Sequence, residues 1–215
     1  MGACNSGGKG SLSNGALGTG KPNDATEYYV SGEGMWINQY LRGNGDFGEL
    51  TESEKQYLKD LDKATNGKIS NDTLYRSVDA SAIFGNMSET DYENLRTALV
   101  YGKDSLGKGQ YADGIRQKVD GIINRTIGKA QTEKGYMSTT TSKSIAEDFG
   151  GFTGSDKPIV MNIKTNKNTK GVNLSGYDKN ASTPQKEVLL ARGQSYKVTN
   201  IYGKNGNIYV DVEMD

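Results

Sequence analysis

Arg76 lies at the centre of residues 74–78, an apolar segment that predicts a β-strand. A guanidinium on or through a buried face of a sheet needs an anionic partner, which can be a carboxylate or a phosphate. The segment alone also fits a plainer interpretation, in which an arginine on an edge strand pairs with a surface carboxylate. Arg76 is therefore the first candidate for binding an anionic ligand.

A second segment carries three consecutive hydroxyl side chains, Ser138, Thr139 and Thr140, at the end of a predicted strand and before a short helix. Hydroxyls in this position commonly cap the helix by accepting hydrogen bonds from its first N–H groups. The same hydroxyls could instead hold a catalytic carboxylate in position. Both interpretations stay open from this segment alone.

A third segment places Gln185 and Glu187 at the entrance of an apolar strand. Because they are two residues apart, their side chains project from the same face of the strand. An amide beside a carboxylate suits the recognition of a hydroxyl and of an acceptor amide. The alternative is that both are polar residues that keep an edge strand soluble.

The composition excludes several common chemistries. The chain has 215 residues, with 26 Lys+Arg balanced by 26 Asp+Glu, no His and one Cys. Without His there is no Ser-His-Asp triad and no His-ligated zinc, and one Cys allows neither an internal disulfide nor a Cys-rich metal site. Zero net charge argues against nucleic-acid binding, and the apolar runs are too short for a membrane span.

These side chains must be positioned by a helical first half and a strand-rich second half. Thr51 and Glu54 form a capping box ahead of one helix, and Ser88 with Asp91 can cap another. Apolar periodicity predicts two more helices, around residues 36–41 and 111–127. Residues 159–163, 187–191, 195–202 and 208–214 predict strands. Helices followed by strands, without regular alternation, favour the α+β class.

The last of these strands alternates in polarity. Ile208, Val210 and Val212 are predicted to face inward, and the residues between them, Tyr209, Asp211 and Glu213, to face solvent.

Residues 1–24 are rich in glycine and predict a flexible tail ahead of a single domain at residues 25–215. The tail begins MGACNS, which also matches N-myristoylation at Gly2 with a palmitoylatable Cys4, or the start of a mature bacterial lipoprotein. A plain tail and a lipid anchor at Cys4 are both carried forward. The localisation stays open between a secreted or delivered protein and one that acts in the cytoplasm of a bacterium or its phage.

Taken in order, the Arg strand, the Ser-Thr-Thr strand and the Gln-x-Glu strand entrance resemble the Arg–Ser–Glu class of mono-ADP-ribosyltransferases. Residues 32–42, GEGMWINQYLR, resemble the I-N-x-Y-L-R helix of bacterial ADP-ribosylating toxins, and residues 135–141 resemble their G-Y-x-S-T strand. Residues 185–193, QKEVLLARG, are similar to the Q-x-E-V-L-L-P-R-G stretch of clostridial Rho-modifying exoenzymes. The resemblance implies a mixed β-sandwich core with N-terminal helices, with NAD as substrate and no metal.

The resemblance also implies a role for each matching residue. Arg76 would bind the NAD diphosphate, and Glu187 would accept a hydrogen bond from the nicotinamide-ribose 2′-hydroxyl and stabilise an oxocarbenium-like state. Ser138 would orient Glu187, while Thr139 and Thr140 would support the strand that shapes the nicotinamide pocket.

Four further residues receive roles in the same way. Asn38 and Arg42, one helical turn apart, match positions that contribute to the NAD site. Tyr177 would contact the target protein, and Gln185 would select the acceptor. In this family Glu at the position of Gln185 goes with an arginine acceptor, whereas Gln matches an amide side chain. The resemblance therefore implies Asn as the acceptor in the first place, with Gln or Thr as the alternatives.

The function implied is transfer of ADP-ribose from NAD to a protein side chain by a monomeric enzyme, with slow NAD hydrolysis when no target is present. A small GTPase or an actin-like protein is the expected kind of target, and nucleic acid is not. The contrasting interpretation is a catalytically silent protein that keeps the fold, either as an NAD-binding module or as a structural component of a cell surface or virion.

Overall fold

The computed structural model describes residues 18–32, 35–43, 47–69, 72–152, 157–176 and 185–215. The helices are α1 (Asp24–Val30), α2 (Met35–Arg42), α3 (Glu52–Thr65), α4 (Ser81–Phe84), α5 (Glu89–Tyr101), α6 (Gln110–Thr126) and α7 (Lys143–Phe152), with a 3-10 turn at Lys103–Leu106. The strands are β1 (Thr73–Asp79), β2 (Ala130–Thr132), β3 (Met137–Thr140), β4 (Pro158–Lys164), β5 (Gly171–Asn173), β6 (Glu187–Leu190), β7 (Ser195–Lys204) and β8 (Asn207–Met214).

The predicted helix starts are confirmed where a local cap defines them. Thr51 Oγ1 accepts a hydrogen bond from the Glu54 N–H at 3.3 Å, and the Glu54 carboxylate accepts one from the Thr51 N–H at 2.7 Å. Ser88 Oγ accepts from the Asp91 N–H at 3.1 Å at the start of α5. Each bond satisfies a backbone donor that has no partner within the first turn of the helix.

The strands form one mixed sheet in the order β2-β7-β8-β4-β1-β3-β6-β5. β4 and β8 pair in parallel, and the other neighbours pair antiparallel. β1 and β3 are paired at a single position, Tyr75 opposite Thr140. The sheet thus consists of a five-stranded half and a three-stranded half that meet at this one pair.

Both halves contribute to the main hydrophobic core, since Met161 and Ile163 of β4 lie in the same cluster as Val188 and Leu190 of β6. α5 and α6 complete this core. A second cluster on the other face of β6 holds Leu189 together with side chains of α1, α2 and α3. This arrangement of mixed sheet and helices confirms the predicted α+β class.

The prediction that Tyr209 faces solvent is wrong. Its side chain is only 1% exposed and packs with Ala146 of α7 and Val160 of β4. The Tyr209 hydroxyl donates a hydrogen bond to Glu147 at 2.6 Å, and the Lys143 ammonium lies 4.2 Å from the centre of its ring. α7 covers this face of the sheet, which a polar alternation pattern in β8 alone does not reveal.

The folded part of the chain begins before residue 25, the predicted boundary. The Thr19 N–H donates to the Lys68 carbonyl at 2.8 Å, and the Lys68 N–H donates to Thr19 Oγ1 at 2.9 Å. A Cβ on Gly67 would lie 1.8 Å from the Gly20 nitrogen, so this close approach requires glycine. Gly2 and Cys4 lie outside the described residues.

None of the helices in the described ranges is long and apolar enough to cross a membrane.

Candidate active site

The candidate site lies where the two halves of the sheet separate. Beyond the Tyr75–Thr140 pair no further pairing joins β1 to β3. Arg76 and Ser77 on β1 therefore face Ser138 and Thr139 on β3 across a gap. Two cavities open from this gap, and both are lined by Arg76 and Ser77.

The smaller cavity encloses about 360 Å³ of space that is open to solvent. It brings together six predicted site residues, namely Arg76, Ser138, Thr139, Thr140, Gln185 and Glu187. The rest of its wall consists of Tyr75, Ser77, Ile145, Ala146 and Phe149. The three segments identified from the sequence thus converge on one small, mostly apolar pocket with a few polar groups, as is usual for a small-molecule site.

Glu187 is the first residue of β6 and lies opposite Thr140 in the β3–β6 pair. Its side chain is 7% exposed, which is unusual for a carboxylate, and it shares a face of the sheet with Ser138. Its backbone carbonyl accepts the Leu174 N–H at 2.8 Å. The strand therefore fixes the backbone from which this carboxylate projects into the cavity.

The two threonine hydroxyls fasten β3 to the segment that carries Gln185 and Glu187. Thr139 Oγ1 donates to the Val188 carbonyl at 2.6 Å, and Thr140 Oγ1 donates to the Gln185 carbonyl at 2.7 Å. Hydrogen bonds between side chain and backbone on both sides of Glu187 hold this part of the wall in one conformation.

A chain of hydrogen bonds leads from the backbone to Ser138 through Tyr29, a residue that the sequence did not single out. The Tyr136 N–H donates to Asn38 Oδ1 at 2.7 Å, which leaves the Asn38 amide nitrogen to donate to the Tyr29 hydroxyl at 2.7 Å. The Tyr29 oxygen lies 3.1 Å from Ser138 Oγ. When Tyr29 donates its proton to Ser138, the Ser138 proton is available for an acceptor in the cavity, where Glu187 lies.

Burial raises the pKa of Tyr29, the hydrogen bond with Ser138 lowers it and the charge of Glu187 raises it, with a net rise above the usual value. Tyr29 is therefore protonated at neutral pH and can act as a donor. The charge of Glu187 raises the pKa of Tyr29 and the charge of Arg76 lowers it, so the three side chains lie close enough to interact electrostatically. Tyr29 is a member of the site that only the tertiary structure reveals.

The larger cavity, with about 1420 Å³ of open space, lies on the other side of Arg76 and is lined also by Arg42 and Glu133. Glu133 Oε1 accepts a hydrogen bond from Arg42 Nε at 2.9 Å, and Glu133 Oε2 lies 3.8 Å from Arg76 Nη1. The sequence predicts a carboxylate or a phosphate as the anionic partner of Arg76. In the structure the carboxylate of Glu133 takes this place. Burial lowers the pKa of Arg76, the charge of Glu133 raises it and that of Arg42 lowers it, so the net direction is downward.

Gly135 allows α2 to approach the start of β3. A Cβ on Gly135 would lie 2.6 Å from Asn38 Oδ1 and 3.3 Å from Arg42 Nε. The Gly135 N–H also donates to Glu133 Oε1 at 2.9 Å, and Arg42 Nη2 donates to the Tyr136 carbonyl at 3.3 Å. Asn38 and Arg42 on α2 are therefore held against the backbone of Gly135 and Tyr136.

The remaining predicted residues are placed as follows. Arg42 lines the larger cavity, whereas Asn38 reaches the smaller one only through Tyr29. Tyr177 lies outside the described residues. Within the described part of the chain, no cluster of three or more Cys, Asp or Glu side chains could hold a metal ion.

A signal for Glu133 existed in the sequence, because it precedes the Gly135-Tyr136 pair by two residues and is a lone carboxylate beside the predicted site. Tyr29 carried no comparable signal. It lies nine residues before Asn38, on a different helix, so no periodicity links the two.

Known proteins share sequence and fold with this chain. The sequence model of a family described as ADP-ribosyltransferase exoenzyme matches residues 12–214. The epidermal cell differentiation inhibitor of Staphylococcus aureus is 27% identical over 175 residues, which are 81% of this chain and 65% of that protein. The chain therefore spans slightly less than two thirds of the length of that relative.

Solved structures show the same fold. C3stau2 from S. aureus with NAD has a TM-score of 0.60 at 20% identity, covering 89% of this chain and 84% of that one. The Clostridium limosum C3 exoenzyme has a TM-score of 0.57 at 20% identity, covering 89% of this chain and 83% of that one. At these identities the likeness concerns the fold.

Proposed function

The chain belongs to the ADP-ribosyltransferase exoenzyme family, and from this premise we propose that it is a mono-ADP-ribosyltransferase that moves ADP-ribose from NAD to a protein side chain. The observation that carries the proposal is the convergence of Arg76, Ser138 and Glu187 on one pocket from three separate strands. A guanidinium, a hydroxyl and a buried carboxylate are the groups that this reaction needs.

In the proposed reaction the bond between the ribose C1′ and the nicotinamide nitrogen breaks, and nicotinamide leaves with the bonding electron pair. Positive charge develops on the ribose, and the Glu187 carboxylate stabilises it from a fixed position in a mostly apolar pocket. The carboxylate also accepts a hydrogen bond from the ribose 2′-hydroxyl. Ser138, oriented by Tyr29, positions Glu187 for this task.

Arg76 and Arg42 form the proposed binding site for the NAD diphosphate. Arg76 borders both cavities, so a ligand that binds it through a diphosphate can extend its two ends into both. The nicotinamide riboside would occupy the smaller cavity beside Glu187, and the adenosine the larger one. Arginine suits the diphosphate because its planar fork donates two parallel hydrogen bonds to phosphate oxygens.

Gln185 is the proposed acceptor-selecting residue. Its side chain is exposed at the mouth of the smaller cavity, two residues from Glu187. An amide both donates and accepts hydrogen bonds, which matches the side-chain amide of asparagine. In the reaction the acceptor amide nitrogen forms the new bond to C1′, and the proton that it loses passes to the water at the open mouth of the cavity. A small GTPase of the Rho type is the first acceptor to test, because QKEVLLARG resembles the corresponding stretch of the Rho-modifying exoenzymes.

The proposal is tested by incubating the protein with adenylate-labelled NAD and a eukaryotic lysate. The wild type should label a protein band, and mass spectrometry should map the ADP-ribose to an asparagine. Glu187→Gln should abolish the label, whereas the matched control Glu213→Gln, on an exposed part of β8, should retain it.

Gln185→Glu should keep NAD hydrolysis but lose transfer to asparagine. Equal labelling by wild type and Glu187→Gln would refute the assignment of Glu187. Hydrolysis of NAD without labelling of protein in any lysate or with any purified GTPase would reduce the proposal to an NAD glycohydrolase.

A further inference from the structure

Glu133 is a carboxylate inside a cavity to which the proposed function gives a diphosphate, and this position needs an explanation. Its side chain is 16% exposed and lies between Arg42 and Arg76. A negative charge beside bound phosphate weakens the binding of that phosphate. A carboxylate built into such a place must therefore do something other than attract the ligand.

Glu133 is held rigidly. Its N–H donates to the Gln194 carbonyl at 3.0 Å, and its carbonyl accepts the Gly193 N–H at 2.7 Å. Oε1 accepts from both Arg42 Nε and the Gly135 N–H, each at 2.9 Å. These contacts hold both the backbone and the carboxylate of Glu133 in place beside the two arginines.

The two arginines contact Glu133 unequally. Arg42 makes a hydrogen bond at 2.9 Å, whereas Arg76 Nη1 lies 3.8 Å from Oε2, beyond hydrogen-bond distance. Arg76 can therefore bind a ligand without losing a hydrogen bond to Glu133, while the charge of Glu133 still acts on that ligand. The carboxylate also offsets the repulsion between the two guanidiniums, which otherwise lowers the pKa of Arg76 further.

The charge of the larger cavity follows from its lining. Arg42, Arg76 and Lys134 are cationic, and Asp79 and Glu133 are anionic, which leaves one positive charge. Without Glu133 the excess would be two positive charges, and the cavity would favour ligands with more phosphate.

We propose that Glu133 is a specificity-determining residue that limits the positive charge of the diphosphate site, so that the site binds a dinucleotide diphosphate and discriminates against more highly charged nucleotides. The inference rests on the proposed function, because it takes the diphosphate of NAD as the ligand of Arg76. It predicts that the penalty from Glu133 grows with the negative charge of the ligand.

The test measures dissociation constants of AMP, ADP and ATP by titration calorimetry for the wild type, Glu133→Gln and the control Glu213→Gln. The negative charge of these nucleotides rises by one at each step. Because Gln keeps the shape of Glu and removes only its charge, Glu133→Gln should tighten binding by an additional factor of about three for each added ligand charge. Glu213→Gln should leave all three constants at their wild-type values.

An equal change for all three nucleotides, or a uniform loss of binding, would overturn the proposal and give Glu133 a purely structural role. A thermal unfolding scan of Glu133→Gln accompanies the titrations, and Glu133→Ala serves as a second variant that also removes the charge. The proposed function fails separately, when the wild type releases no nicotinamide from NAD. A graded gain in Glu133→Gln would then still support the charge limit, because the calorimetric readout does not depend on turnover.

Discussion

The hydroxyl oxygens of Tyr29 and Ser138 lie 3.1 Å apart, and this contact joins α1 to β3 at the wall of the smaller cavity. Tyr29 also accepts a hydrogen bond from Asn38 on α2. A residue of the first helix thus connects a helix of the N-terminal half with the strand that carries the proposed positioning serine.

Tyr29→Phe should lower the rate of nicotinamide release roughly tenfold, because Ser138 loses the group that orients it. The free energy of unfolding should fall by about 1–3 kcal/mol, since the Asn38 amide loses a partly buried acceptor. Steady-state kinetics with NAD and denaturant unfolding measure the two effects. Tyr28→Phe is the matched control, because Tyr28 is adjacent on α1 and 40% exposed. Equal activity of Tyr29→Phe and the control would contradict the role of Tyr29.

Gly135→Ala should raise the KM for NAD about tenfold with a smaller effect on kcat. The added Cβ would press on Asn38 Oδ1 at 2.6 Å and so displace α2, which carries Arg42. Gly121→Ala is the matched control, because nothing lies within 4 Å of a Cβ there. As a glycine inside α6, Gly121 should gain about 0.5–1 kcal/mol of stability on replacement by alanine, with unchanged KM. A wild-type KM in Gly135→Ala would show that the close approach of α2 is not needed.

Asp62 should make stability depend on pH at the acidic end. Burial alone would raise the pKa of Asp62, but hydrogen bonds from Arg192 and Tyr136 outweigh it, so the pKa lies below the usual value. A lowered carboxyl pKa adds stability that is present above the pKa of the unfolded chain, near 4, and is lost as the pH falls through the folded pKa.

Asp62→Asn should therefore destabilise the protein at neutral pH by about 1 kcal/mol, a modest figure because the side chain is 40% exposed and screened by solvent. The difference in free energy of unfolding between the wild type and Asp62→Asn should disappear as the pH falls below about 4. Urea unfolding at a series of pH values measures it, with Asp60→Asn on the same helix as control. A gap that stays constant with pH would contradict the account of this ion pair.

Tyr209→Phe should lower the free energy of unfolding by about 1 kcal/mol, because its hydroxyl donates to Glu147 across the interface between β8 and α7. Burial and the hydrogen bond to Glu147 raise the pKa of Tyr209 to about 12, so the hydroxyl is a donor at every ordinary pH. Tyr202→Phe is a comparison on the same face, since the two rings stack at 5.3 Å. Thermal unfolding measures both variants, and no loss of stability in Tyr209→Phe would mean that α7 is anchored by packing alone.

Features of the fold that depend on neighbouring residues could be predicted from the sequence. The capping box joins Thr51 and Glu54, which are three residues apart, so the local sequence alone predicts the start of α3. The sequence does not predict β5, because a strand of three residues, Gly171–Asn173, is too short to show an alternating pattern. The polarity pattern of β8 gives the wrong face for Tyr209, because tyrosine is amphipathic and its environment depends on a helix more than fifty residues away.

The candidate site divides in the same way. Arg76, Ser138 and Glu187 could be named because each belongs to a short motif that contains its own signal. Tyr29 acts through a contact that spans 109 residues of chain, and Glu133 through one that spans 91. Such contacts form only when the helices pack against the two halves of the sheet, so no local sequence pattern predicts them.

In the proposed reaction Glu187 stabilises the ribose cation as nicotinamide leaves. The most direct test compares nicotinamide release from saturating NAD by the purified wild type and by Glu187→Gln, with NAD binding measured by calorimetry on both. We expect the rate to fall by about 100-fold or more, the usual cost of losing a preorganised electrostatic stabiliser, while the dissociation constant of NAD changes little. Nicotinamide release by Glu187→Gln at the wild-type rate would contradict the account.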